Sequence, residues 1–207
     1  MIKIKNKPLL IVVSAPSGAG KTTLCNLLLN EFPNITRSIS CTTRKKRKGE
    51  THGRDYFFVT IPEFEKCLLR GKFLESASVH CHKYGTPKAS VLSALADGKD
   101  VLLVIDVQGA KMIRNNIKKR GAEHSLKAAF VDIFIAPPSI SVLKRRLLKR
   151  GKNCPVDINV RLKNAVKEMK AWRNFKYVLV NDRLEQAYKR LRSIVIAEHC
   201  RNTRSAM

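Results

Sequence analysis

Acidic side chains are scarce in this chain, and so are aromatic rings, paired cysteines and long apolar runs. Asp and Glu together number 16 against 41 Lys and Arg, a formal charge of +25. That imbalance points to phosphate-bearing partners, either a nucleic-acid backbone or phosphorylated small molecules. Aromatic residues make up 6% and do not interleave with basic ones, which argues against a stacking platform for nucleic acid. Charge alone leaves the two readings open. No apolar stretch approaches the length that crosses a bilayer, and Met1 to Lys7 lacks the apolar middle of a signal peptide. The expected location is the cytoplasm, with no membrane partner. Six cysteines (25, 41, 67, 81, 154 and 200) never form a Cys-x-x-Cys pair, which fits reduced thiols better than a disulfide frame. His80-Cys81-His82 has no further ligands close by and predicts no metal site. There is no internal repeat and no low-complexity linker. A chain of 207 residues is long enough for one domain with an insertion or two.

What is present begins with Leu9 to Val13, an apolar run that reads as a buried strand. It breaks into Ser14-Ala15-Pro16-Ser17-Gly18-Ala19-Gly20-Lys21-Thr22-Thr23 and resumes as a helix through Leu24, Leu27 and Leu28. Strand, small-residue loop and helix N-terminus aim backbone N–H groups at one point, and phosphate is what such a cradle holds. Lys21 adds a compact positive charge for the outer phosphates, and the Thr22 hydroxyl is placed to ligate magnesium. Ala15 stands where a P-loop expects its first glycine. Pro16 makes this tolerable, because a residue before proline is pushed to extended φ/ψ, where a β-carbon costs nothing.

Further along, Cys41-Thr42-Thr43-Arg44-Lys45-Lys46-Arg47-Lys48-Gly49-Glu50 leads into a short strand predicted over 53–59. Helices are predicted over 61–69, with Pro62 in the first turn, and over about 88–96, ending at Gly98. Val101 to Ile105 reads as a second buried strand, capped by Asp106-Val107-Gln108-Gly109, and Phe130 to Ala136 as a third. A carboxylate at the end of such a strand sits where open parallel sheets bind ligands. Ser139 is the expected N-cap of a basic helix to Lys149. A helix over 156–172, a strand over 177–180 and a helix from about 184 to 199 complete the pattern, while 118–127 gives none. Strands alternating with helices predict an α/β fold, a parallel sheet with helices on both faces.

With these segments collected, the chain resembles the guanylate kinases, which move the γ-phosphoryl of ATP onto GMP. The resemblance runs from Leu10 to about His199 and rests on 14–22, the Ser40 to Tyr56 segment, Tyr84-Gly85-Thr86, Ile105 to Gly109, Ala136 to Ser139 and Val180-Asn181-Asp182. It implies a three-layer P-loop kinase core (8–36, 91–137 and 161–200), a GMP-binding segment over 37–90 and a helical lid over 138–160. It also implies that Arg44, Arg47, Tyr56 and Tyr84 hold the GMP phosphate, with Ser40 nearby and Glu50 in support. Glu75, Thr86 and Asp106 would read the base. The loop from Ala15 to Thr23 would hold ATP, with lid-side Arg146, Arg150 and Arg161 and with Asn181 near the adenine. Lys21, Arg44, Arg146, Arg150 and Arg161 would be the catalytic charges, and Mg²⁺ the metal that accompanies ATP.

The chemistry of the bases agrees with that implication. Guanine offers N1–H and N2–H as donors, which acids accept, and O6, which a hydroxyl can serve. Adenine would leave the carboxylates unpaired, at roughly 1–3 kcal/mol for each. Two departures stand out: Val104 occupies a position where the family commonly carries an acid, and His82-Lys83 precedes Tyr84 in place of the usual Asn-Tyr. GMP arrives as a phosphate monoester with a second pKa of about 6, already mostly dianionic, so no general base is required. Three rival readings remain at this stage: a non-catalytic interaction module, a kinase for another small phosphorylated acceptor, and an RNA-binding protein. The intact Gly20-Lys21-Thr22 argues against the first, and nucleic acid is not the expected partner.

Overall fold

The computed structural model describes residues 7–79, 81–119, 121, 123–149 and 155–201; His80 and Arg150 lie outside them. Five parallel strands form the main sheet in the order β2-β7-β1-β8-β9. They are β1 (Leu10–Ser14), β2 (Ile35–Arg37), β7 (Asp100–Val104), β8 (Phe130–Ala136) and β9 (Tyr177–Val180). The central strands are apolar on both faces because helices cover both. Ile11 and Val13 of β1 point to one side, toward α1 (Lys21–Glu31) and α8 (Leu184–Cys200). Leu10 and Val12 point to the other, where α3 (Lys88–Ala96), α4 (Val107–Lys118) and α5 (His124–Ala129) close a second core. This is the three-layer α/β architecture expected from the alternation of elements. Among the described residues, no helix is long and apolar enough to cross a membrane, and the described cysteines are free thiols.

An acid of the central sheet is buried with its partners. Asp132 of β8 is 2% exposed; it accepts from Arg114 of α4 at 2.6 Å and from the Lys176 N–H at 2.8 Å. The Arg114 guanidinium lies 4.3 Å over the Phe175 ring. Removing one partner of a buried pair leaves the other charge uncompensated. Asp132→Asn is therefore expected to lower unfolding free energy by about 3 kcal/mol, read as a shift in the urea midpoint.

A second sheet stands beyond the end of the first, in the order β4-β3-β6-β5. Its strands are β3 (Cys41–Thr42), β4 (Phe57–Phe58), β5 (Phe73–Val79) and β6 (His82–Pro87). The strand predicted over 53–59 shrinks to two residues, because Thr51 to Tyr56 turns on itself, with Asp55 Oδ2 accepting the Thr51 N–H at 2.7 Å. Between β4 and β5 runs α2 (Ile61–Leu69), opened by a full capping box between Thr60 and Glu63. The last two helices of the basic region are α6 (Ile140–Lys149) and α7 (Pro155–Met169). Ser139 caps α6 through Val142 N–H at 3.2 Å. The helix predicted to reach residue 172 ends as α-helix at Met169 and tightens into a 3₁₀ turn, Lys170–Asn174.

Candidate active site

The loop between β1 and α1 needs two glycines for its shape. Gly18 and Gly20 have φ of 89° and 94°, a left-handed region that a β-carbon disfavours. A β-carbon on Gly20 would also fall 2.2 Å from Asn181 Nδ2. Asn181 is buried at the end of β9, where that amide donates to Ala19 O at 2.8 Å and so fixes the loop from behind. Arg146 of α6 donates to Asn181 O at 2.9 Å, while its other terminal nitrogen is buried without a partner. Together with Gly18, Gly20 and Thr23, these residues line an open cavity of about 450 Å³. A cationic donor left unpaired beside loop amides suits an anionic ligand.

Lys21 begins α1, and its ammonium donates to Ile105 O at 3.0 Å at the end of β7. Burial pushes its pKa down, opposed by the fields of Cys25, Asp106 and Glu168. Glu168, on α7, was not legible as a site residue. It accepts the Ser17 backbone N–H, and burial raises its carboxyl. Ser17, Asp106, Gln108, Arg161, Asn164 and Glu168 border a second cavity of about 320 Å³ directly beside the loop. Ala15, Pro16 and Ala19 are buried, while Thr22 and Thr23 are exposed on the first turn of α1.

Two further groups lie on the second sheet. Arg44 is 8% exposed and takes Glu50 in a fork at 2.7 and 3.0 Å, with Lys45 O at 2.8 Å. A side-chain bond with Tyr84 and the Tyr56 ring, 5.5 Å from the guanidinium, complete its surroundings. The Tyr56 and Tyr84 rings meet edge to face at 5.9 Å. The unusual Lys83 before Tyr84 pairs with Glu65 and leaves the tyrosine in this cluster. Arg47 is exposed, and Glu50 binds its backbone N–H at 2.9 Å. Ser40 is half-buried, and its carbonyl accepts the Phe57 N–H at 2.9 Å.

The other group is Glu75, Thr86 and Asp106. Glu75 is 3% exposed and accepts from the Thr86 hydroxyl at 2.6 Å. Burial, with Asp106 adding to it, pushes its carboxyl up to about 7. Asp106 caps α4 by accepting Gly109 N–H at 2.9 Å. Gly109 is the close approach that lets Glu75 in: a β-carbon there would lie 2.5 Å from Glu75 Oε2. Asp106 borders the cavity beside Ser17, follows Ile105, which holds Lys21, and caps Gly109 against Glu75, so the acid pair lies next to the loop. Of the expected site residues, only Arg150 falls outside the described residues.

A glycine-shaped loop feeding a helix in a five-stranded parallel sheet, with a lysine beside a strand-end acid, defines a P-loop phosphotransferase. The family profile for guanylate kinase matches residues 7–198. A guanylate kinase of Caldanaerobacter subterraneus is 41% identical over 204 residues, 99% of this chain and 94% of that protein. One of Thermotoga maritima is 44% identical over 196 residues, covering 95% and 90%. The crystal structure of guanylate kinase from Anaplasma phagocytophilum superposes with a TM-score of 0.77 at 33% identity, covering 98% of this chain and 92% of that one. The chain belongs to the guanylate kinase family.

Proposed function

We propose that this chain performs its family's reaction in the cleft described above: transfer of the γ-phosphoryl of ATP to GMP, with dGMP as a second acceptor, giving ADP and GDP in the cytoplasm. The observation that carries the reading is Asp106, which follows Ile105, whose carbonyl takes the Lys21 ammonium, and caps Gly109, the glycine packed on Glu75. It ties a triphosphate cradle to a guanine-reading pair. ATP lies along the loop from Ala15 to Thr23, its phosphates on the backbone N–H groups, Lys21 and Arg146, with Asn181 on the nucleoside side. GMP lies over the second sheet. Its phosphate meets Arg44, Arg47, Tyr56 and Tyr84, with Ser40 at the edge, and Glu50 keeps Arg44 aimed. Segment 37–90 is then the GMP-binding part and 138–160 the lid.

A GMP phosphate oxygen attacks the γ-phosphorus in line, the β–γ bridging bond breaks, and ADP leaves with the released electron pair. Positioning and charge neutralisation do most of the work in such a transfer. Lys21, Arg44, Arg146, Arg150 and Arg161 supply the positive charge, and closure over the cleft keeps water from competing as acceptor. The donors present fit magnesium only as an ion delivered with ATP. Thr22 offers one hydroxyl, Val104 removes a carboxylate, and among the described residues no three acidic, imidazole or thiol groups converge. Magnesium keeps much of its water in such sites; when bound it offsets charge on the phosphates. A coupled assay for ADP with GMP, dGMP, AMP and UMP tests the whole reading. Turnover with the guanine pair alone is expected, and a preference for AMP or UMP overturns it.

The state of Glu75 gives a second check. With its carboxyl raised to about 7, it accepts from guanine only above that pH and takes up a proton below it. The KM for GMP is expected to rise roughly tenfold per unit as pH falls below 7. Glu75→Gln should lose that inflection and keep only the ionisation of the GMP phosphate itself, near about 6. Identical profiles for the two proteins would remove Glu75 from the base.

A further inference from the structure

Beside the transfer cleft, α4 and the 3₁₀ turn enclose another cavity, of about 520 Å³, which adjoins the cleft at Val107 and Gln108. Its walls carry Lys111, Arg114, Asn115 and Lys118 from α4 and Lys170 and Asn174 from the turn, and no carboxylate. Arg114 is already committed to Asp132 at 2.6 Å. Lys111, Lys118 and Lys170 are exposed and have no partner among the described residues. They converge because α4 buries Ala110, Ile113 and Ile117, which turns residues 111, 115 and 118 outward as one stripe.

The spacing selects the ligand. Lys111 and Lys118 are seven positions apart, about 10 Å along the helix axis, so with Lys170 they spread positive charge over a length that several linked phosphates cover better than one. A chain carrying several phosphates reaches both of them and Lys170. The carboxamides of Asn115 and Asn174 each present donors and an acceptor. Phosphate uses only the donors, whereas base edges use both. Trp172 follows the lining residue Ala171 without itself forming the wall; it is 43% exposed and presents an indole with Arg173 5.2 Å from its centre, a pairing that suits an unstacked base at the groove's margin. The low aromatic content seen in the sequence does not count against a groove that needs a single ring.

We propose that this groove binds single-stranded RNA, its backbone on the three lysines and its bases on the carboxamides and Trp172. This function lies outside the kinase reaction and uses none of its residues. Trp172 is the sole tryptophan and adjoins the lining residue Ala171, so its fluorescence reports binding beside the groove. An eight-nucleotide single-stranded oligoribonucleotide, titrated into the full chain with ADP and GMP at saturation, is expected to quench that emission. The slope of log affinity against log salt should be about −2, as three phosphate contacts on a single strand give. The triple reversal Lys111→Glu, Lys118→Glu, Lys170→Glu should weaken binding at least tenfold while turnover of ATP and GMP stays within twofold, which also shows that the variant is folded. Lys118→Glu alone should move affinity the same way by a smaller factor. Undiminished binding by the triple variant overturns the proposal. So does displacement of RNA by ADP and GMP, or equal binding of inorganic polyphosphate or duplex RNA.

Discussion

Lys21→Ala is expected to reduce kcat by about a thousandfold or more, with the KM for GMP changed less than threefold. The ammonium is held at Ile105 O at 3.0 Å, and in the proposed reaction it faces the charge that grows on the transferring phosphoryl group. Burial lowers its pKa while Asp106 and Glu168 oppose the loss of its proton. Removing the side chain takes away a preorganised charge that water, once the proposed closure expels it, cannot replace at the moment of transfer. Lys21→Met, which keeps the stem, should behave like the alanine variant, because the stem contributes packing and not charge. Initial rates from a coupled ADP assay, with far-ultraviolet circular dichroism to verify folding, measure both. Turnover within tenfold of the unaltered chain would show that loop amides and arginines suffice, and the role given to Lys21 would fall.

The parts of the fold carried by local pattern are legible in the sequence. Val101 to Ile105 and Phe130 to Ala136 declare themselves as buried strands by being apolar at every position, and β7 (Asp100–Val104) and β8 (Phe130–Ala136) lie there to within a residue. Pro62 after Thr60, and Ser139 before Ile140, mark helix starts that the structure keeps. Of the second sheet only β4 was legible, inside the longer strand predicted over 53–59. β3 is two residues long, shorter than any alternation can reveal, and β5 with Phe-Leu-Glu-Ser-Ala-Ser-Val mixes polar positions on both faces. Helix α4 was hidden for a different reason: Gly109 weakens its helical signal, yet that glycine is there because Glu75 packs against it. Glu168 shows the limit for the site. Nothing in Val166 to Met169 distinguishes it from a surface acid; only the fold of α7 back onto Ser17 brings its carboxylate to the loop.

The largest change in specificity is expected from Glu75→Gln combined with Asp106→Asn: kcat/KM for GMP should fall about a thousandfold while that for AMP changes less than tenfold. Each substitution turns an acceptor into a group that can present N–H to guanine's own N–H donors. A buried donor facing a donor costs about 1–3 kcal/mol, and two such mismatches together reach the thousandfold range. Glu75 should weigh more than Asp106, because it is 3% exposed and its environment cannot supply water in place of the lost bond. The Thr86 hydroxyl has a single proton and spends it on Glu75 at 2.6 Å. In the glutamine variant that proton still finds the amide oxygen, so the amide nitrogen is the end that turns toward the base. Glu75→Ala would instead open a void beside Gly109 that water can enter, and its loss of GMP activity should be smaller than that of the isosteric change. Steady-state rates with GMP and AMP for the singles, the double and Glu75→Ala separate these effects. If the double variant kept its preference for GMP over AMP, guanine would have to be read elsewhere in the cleft, and the acid pair would be left with only the capping of α4 and the shaping of the strand end.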